Sequence, residues 1–191
     1  MLKGVKAVID FVMDILETVV FIGSMFIVVY LFILTPNQVK GASMEPNFHT
    51  GDYILTSRVT YKFRKIERGD VVVLKSPKNP DIEYIKRVVG LPGDTVLISE
   101  NGDVSVNNNL FTENYIAAKT NLWEGGCVKA DVPYAVPDGE VFVMGDNRPR
   151  SSDSREFCSV PIQSLIGQVF YRYFPVDKMG SITNPLPKSI R

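Results

Sequence analysis

The chain has 191 residues, room for one compact domain of ordinary size and a small attachment. Its 21 basic and 21 acidic side chains balance, and no Lys/Arg block resembles a groove-binding patch, so nucleic acid is excluded as a partner. Two cysteines and a single histidine cannot assemble a Cys/His zinc site.

The first element in chain order is the run Val19 to Leu34, "VVFIGSMFIVVYLFIL", which carries no charge and leaves no helix face polar. With Thr18 and Thr35 it reaches the lower length limit for spanning a bilayer. A cleavable signal peptide would have a shorter core and a small-x-small site after it; here "TPNQVK" follows, so residues 18–35 read as a retained transmembrane anchor. Lys3 and Lys6 precede the run and only Lys40 follows closely. The positive-inside rule then makes residues 1–17 a cytoplasmic segment and sends everything after the anchor outside.

Strands and turns come next. "DVVVLK" (70–75) suits a buried strand, and "IEYIKRVVG" (82–90) is another, closed by the turn cluster "GLPGD". "TVLISENGDVSVN" (95–107) reads as a hairpin with Asn101-Gly102 in a type I′ turn. "GEVFVMGD" (139–146) and "IGQVFYRYFP" (166–175) are further strands, and "VPIQSLI" (160–166) is a helical turn or two. Residues 108–138 form a small irregular insertion, and the tail from 181, with "NPLPKSIR", frays. The expected fold is mainly β: an antiparallel, closed or strongly coiled, barrel-like sheet over residues 36–180, preceded by one transmembrane helix. Cys127 and Cys158 read either as two free, buried thiols or, outside the cytosol, as one disulfide.

Three stretches carry chemical potential. "GASMEP" sets Ser43 among small residues directly after the anchor, and a serine nucleophile needs a neighbouring base. His49 shares its loop, with nothing to mark an orienting acid, and reads as a solvated side chain. Lysine replaces histidine if desolvation keeps it neutral. Strand alternation puts Lys86 on one face with Ile82, Tyr84 and Val88, while Glu83, Ile85, Arg87 and Val89 take the other. Lys86 is then either a neutral base among apolar neighbours or a lysine that snorkels to water. "GDNRPRSSDSRE" (145–156) follows an apolar strand and interleaves arginines with Asp146 and Asp153, a pattern suited to a fixed ion-pair network.

Together these pieces resemble the bacterial type I signal peptidases, in their compact Gram-positive-like form. "SMEPNF" resembles the family's nucleophile motif, "RGDVVVLKSP" its second segment, "YIKRVVGLPGD" its lysine motif and "GDNRPRSSDSRE" its last, in the family's order and after an anchor. The resemblance implies a plasma-membrane endopeptidase that cuts signal peptides from exported preproteins after small-x-small sites, with no metal or organic cofactor. It implies Ser43 as nucleophile and Lys86 as general base. Ser151 would hydrogen-bond the lysine amine, Asp153 and Arg155 would support that shell, and Asp146 and Arg148 would be structural. Met44, Tyr84 and Ile85 would line the substrate pockets. The oxyanion hole would pair the Ser43 backbone N–H with a donor two residues earlier, where this chain has Gly41 in place of the serine of some family members. Two other readings remain: a self-cleaving Ser–Lys peptidase of the repressor type, which would need a DNA-binding module, and a membrane-tethered β-domain that binds exported peptides without cutting them. Ser43 stands about nine residues beyond Leu34, a reach of only about 30 Å when extended, so the reaction would occur near the membrane surface.

Overall fold

The computed structural model describes residues 2–186. A single helix, α1 (Leu2–Phe32), opens the chain. It begins well before residue 18 because Asp10, Asp14 and Glu17 recur at intervals of four and three, which confines their charge to one stripe and leaves the other faces apolar. It stops before Thr35-Pro36, where a residue preceding proline is biased away from helix, so Leu34 and Thr35 belong to a strand instead of the helix. Among the described residues α1 is the one helix long and apolar enough to cross a bilayer.

Beyond it the chain forms β1 (Leu34–Gln38), β2 (Tyr53–Ser57), α2 (Thr60–Phe63), β3 (Val71–Lys75), β4 (Glu83–Gly90), β5 (Thr95–Ile98), β6 (Val104–Val106), β7 (Asn109–Leu110), β8 (Tyr134–Ala135), β9 (Glu140–Met144), α3 (Ser154–Phe157), β10 (Val160–Pro161), β11 (Leu165–Phe174) and β12 (Gly180–Ser181). The fold is mainly β and every strand pairing is antiparallel. The main sheet runs β1-β2-β11-β3-β4-β9-β10, with β12 added on β11; it has two ends and is curled, not closed. Register shifts in β11 at Leu165/Gly167, Val169/Tyr171 and Arg172/Phe174 bend that strand and add to the coil. Gly167 lets β2 come close, since a Cβ there would stand 2.1 Å from Ser57 O. Pro36 is tolerated in β1 because β1 is an edge strand.

β3 and β9 are apolar without alternation because both their faces are covered. Val71 and Val73 pack with Met44, Phe48, Ile54 and Val169, while Val72 and Leu74 meet Val88, Val141 and Val143 on the other side. Phe142 and Met144 turn instead into a third cluster, shared with Val89, Val96 and Ile98. A second sheet, β7-β6-β5-β8, carries that cluster, so residues 108–138 complete a small sheet with the 95–106 hairpin. The hairpin turn is not type I′: only Gly102 has positive φ, and Gly102 N–H donates to Ser99 O, which makes a three-residue loop with one left-handed glycine. Thr120 O explains the glycine, standing 2.4 Å from where its Cβ would be. The expected helix at 160–166 reduces to β10 and a single 3₁₀ turn, Ile162–Ser164. The described part of the tail does not fray, because Leu186 is buried in the third cluster and Asn184 Nδ2 donates to Arg68 O; residues 187–191 lie outside the described residues.

Cys127 and Cys158 form a disulfide, which replaces the reading of two free thiols. It ties the insertion to the end of α3. Across a sequence separation of 31, a cross-link of this length restricts the unfolded chain by about 3–4 kcal/mol. Replacing both cysteines by serine is expected to lower stability by that order, read as a lower denaturant midpoint for the detergent-solubilised chain; an unchanged midpoint would assign the bridge no stabilising role.

Candidate active site

Ser43 lies in the loop from Val39 to Asp52 that joins β1 to β2. Val39 N–H donates to Asp52 O at 2.8 Å and Gly51 N–H to Val39 O at 3.0 Å, which close the loop at its base. The Asp52 carboxylate is held in turn by Arg172 Nη1 at 2.8 Å. Met44 and Phe48 drop into the cluster formed by β2, β3 and β11, and so pull the half-buried Ser43 onto the sheet. Met44 was expected to line substrate pockets; at 1% exposed it is a core residue next to Ser43 and faces no open surface.

Lys86 comes from the middle of β4. Its Nζ lies 2.9 Å from Ser43 Oγ and donates to Ile85 O at 3.0 Å, with the Tyr84 ring 5.0 Å away. The side chain is buried, and among the described residues no carboxylate touches the amine. Burial pushes its pKa down to about 8; Asp153 and Asp146 pull it back up and Arg155 pushes it further down. Lys86 does not snorkel to water: its amine is held in the interior beside Ser43 Oγ.

The loop 145–156 supplies the surroundings. Asp153 caps α3 and accepts from Gly145 N–H at 2.9 Å, and its carboxylate is gripped by Arg155 Nε and Nη2, both at 2.8 Å. Arg155 also donates to Arg148 O and to Asn121 O, so it joins this loop to the insertion. Arg148, 1% exposed, pairs with Glu113 and Thr120 and donates to Gly145 O at 3.2 Å. Asp146 forms a two-pronged pair with Arg87, at 2.8 and 2.6 Å, and accepts from Asn47 Nδ2 at 2.8 Å. Arg87 was not among the expected site residues. Alternation along β4 put it on the face away from Lys86, but could not show that this face is buried too.

Ser151 departs from its expected contact. It is fully buried, its hydroxyl has no hydrogen-bond partner among the described residues, and it sits against Gly145, 2.2 Å from where a Cβ would be. The Ile85 carbonyl, not Ser151, accepts from the lysine amine. His49 takes no part either; its backbone N–H donates to Asp52 Oδ2 and its Nδ1 has no partner among the described residues. Gly41 has φ +93°, a conformation that suits glycine, and its N–H donates to Thr50 Oγ1 at 3.0 Å.

Beside the serine and lysine runs an open groove of about 510 Å³. Apolar side chains, Val39, Ile54, Ile82, Tyr84 and Ile85, line it together with polar ones, Gln38, Lys40 and Glu83, and with Ser43 and Lys86, so two of the three expected pocket residues are found here. A hydroxyl beside a buried amine in an open groove can attack an extended peptide laid along it.

A family model described as signal peptidase, peptidase S26, matches residues 12–174. A probable signal peptidase I-2 of Synechocystis is 38% identical over 158 residues, 80% of this chain and 69% of that protein. A signal peptidase IB of Staphylococcus aureus is 33% identical over 186 residues, 90% of this chain and 96% of that protein. The crystal structure of a signal peptidase I from Enterococcus faecalis, 36% identical, aligns with a TM-score of 0.45 over 55% of this chain and 97% of its own.

The buried and exposed ion pairs separate cleanly in what they should be worth. Asp146→Ala leaves the Arg87 guanidinium buried without its partner and is expected to cost about 3–5 kcal/mol. Asp103→Ala removes only the exposed pair with Lys119, expected at under about 1 kcal/mol. Unfolding midpoints of the two variants check the contrast, and equal losses would contradict it.

Proposed function

Because the chain belongs to the signal peptidase family of serine peptidases, peptidase S26, we propose that it cleaves signal peptides from exported preproteins with Ser43 as nucleophile and Lys86 as general base. The observation that carries this reading is the 2.9 Å contact between Ser43 Oγ and the amine of a buried lysine whose pKa is lowered to about 8. Neutral Lys86 accepts the Ser43 proton as Oγ attacks the scissile carbonyl. The protonated amine then gives its proton to the leaving nitrogen, and an ester remains on Ser43. In the second half Lys86 takes a proton from water, the hydroxide adds to the ester, and Ser43 regains its proton as the acid leaves. The Ser43 N–H receives the developing oxyanion.

Substrate enters the groove as an extended chain. Its apolar stretch at Tyr84 and Ile85, beside Lys86, suits small side chains at the −1 and −3 positions. Helix α1 spans the plasma membrane with the N-terminus in the cytoplasm, and the β domain stands outside, where the Cys127–Cys158 bridge persists. Arg155, Asp153, Arg148 and Asp146 hold the 145–156 loop, whose Asn147 contacts the backbone of Ala42 and Ser43.

Two measurements test this. Full-length chain in detergent, given a preprotein with an Ala-x-Ala site, should lose more than about a thousandfold in kcat/KM in Ser43→Ala and in Lys86→Ala; cleavage surviving either substitution would sink the dyad. The sign of the pH effect follows from the base. Below its pKa Lys86 is protonated and cannot accept the serine proton, so kcat/KM should fall about tenfold per unit below pH 8 and level off above it. A chemistry-limited rate that stays flat from pH 6 to about 9 would exclude a lysine base.

A further inference from the structure

Three consecutive carbonyls of the nucleophile loop are each held, the first by Thr50 at the far end of the same loop and the next two by Asn147. Gly41 O accepts from the Thr50 hydroxyl at 3.1 Å, and Thr50 Oγ1 in turn accepts from Gly41 N–H at 3.0 Å. Ala42 O accepts from Asn147 Nδ2 at 2.9 Å and from Glu45 N–H at 3.3 Å. Ser43 O accepts from the Asn147 backbone N–H at 3.0 Å. The peptide bonds here are trans, so each C=O points opposite to the N–H of the following residue. Fixing the carbonyls of 41, 42 and 43 therefore fixes the directions of the N–H groups of 42, 43 and 44. Among the described residues none of these three N–H groups donates to a protein acceptor.

We propose that Thr50 and Asn147 are positioning residues for the oxyanion site: by gripping the backs of these peptides they aim the free N–H groups, the Ser43 N–H above all, at the oxygen of the tetrahedral intermediate. The inference rests on Ser43 as the attacking residue. It accounts for Gly41 as well. The space around Gly41 is open, but φ of +93° strains any other L-residue, so a side-chain donor there is excluded by the backbone and not by crowding. Rigidity takes the place of the missing donor. Thr50 suits the task because one hydroxyl can both accept from Gly41 N–H and donate to Gly41 O, and a methyl group can do neither.

The test uses full-length chain in detergent and two readouts. Thr50→Val keeps the shape and removes both hydrogen bonds; Thr50→Ser keeps the hydroxyl. Complete removal of an oxyanion donor costs about a hundredfold or more in kcat, so loosening one should cost about tenfold. Thr50→Val is therefore expected to lose about tenfold in kcat with KM within about twofold, an unchanged pH midpoint and an unchanged melting temperature, while Thr50→Ser recovers the rate. Asn147→Ala should behave like Thr50→Val. A peptide aldehyde ending in alanine, whose adduct with a serine oxygen places charge at the oxyanion position, should bind both impaired variants more weakly by the same factor. A non-cleavable substrate peptide should bind them as it binds the parent. Full kcat in Thr50→Val, equal weakening of both ligands, or a Thr50→Ser variant as slow as Thr50→Val would each overturn the proposal. Failure of the underlying reading is visible separately, as cleavage by Ser43→Ala in the same assay.

Discussion

The amine of Lys86 is kept out of water by the sheet, and that burial favours its neutral form. Lys86 sits where β4 passes between β3 and β9, and from that residue onward the strand is buried on both faces. Burial is the largest influence on its pKa and it acts downward. The same interior also holds Asp146 and Asp153, whose negative charge acts upward. Each acid is closed off by an arginine at short range, Arg87 for Asp146 and Arg155 for Asp153. The two acids can thus tie down the 145–156 loop, through Gly145 N–H and Asn47, while their fields at the amine are partly offset.

Sheet order makes the meeting of the two side chains a problem of distance. Ser43 belongs to the β1–β2 connection and Lys86 to β4, with β11 and β3 between them. The loop bridges this by lying over the sheet, with Val39, Met44 and Phe48 sunk among Ile54, Val71, Val73 and Val169. Met44 is therefore the weight that seats the serine, which is why it is buried while its neighbour is half open. The loop 145–147 closes the arrangement from the other side, since Asn147 grips the carbonyls of Ala42 and Ser43 and Asn47 grips Asp146. Gly145 is caught between, and a Cβ there would stand 2.4 Å from Ser43 O and 2.2 Å from Ser151 Oγ.

Much of this was legible because period-two alternation and apolar runs report burial directly. β3, β4, β9 and β11 lie within a residue or two of where their patterns put them, and alternation along 82–90 aimed Lys86 toward Tyr84 and Val88. β1 and β2 escaped notice because Pro36 disguises an edge strand and "YILTS" is short and half exposed. The burial of Arg87 was hidden for another reason. Its partner, Asp146, is 59 residues away, and local pattern holds no information on such a pairing. The unpartnered Ser151 hydroxyl and the Asn147 bonds belong to the same class, as products of how one loop lands on another. The cysteines stayed ambiguous because spacing alone does not bring two thiols together; the insertion folding back on α3 does.

The stretch between helix and serine is also not the slack tether that nine residues of linker would make. Leu34 to Gln38 is strand, paired with β2 in register from Leu34↔Ser57 to Gln38↔Tyr53, and Arg58 N–H reaches back to Ile33 O. β2 in turn is paired along its length with β11, the longest strand of the sheet. The end of α1 is thus joined to the sheet by two layers of backbone hydrogen bonds, and the loop carrying Ser43 begins one residue after that join. A free linker would let the serine sample a volume about 30 Å in radius. A paired strand, at about 3.3 Å per residue, gives it one height above the helix end instead. The loop that carries Ser43 therefore stands at a distance from the end of α1 that is set by strand register and not by a slack tether.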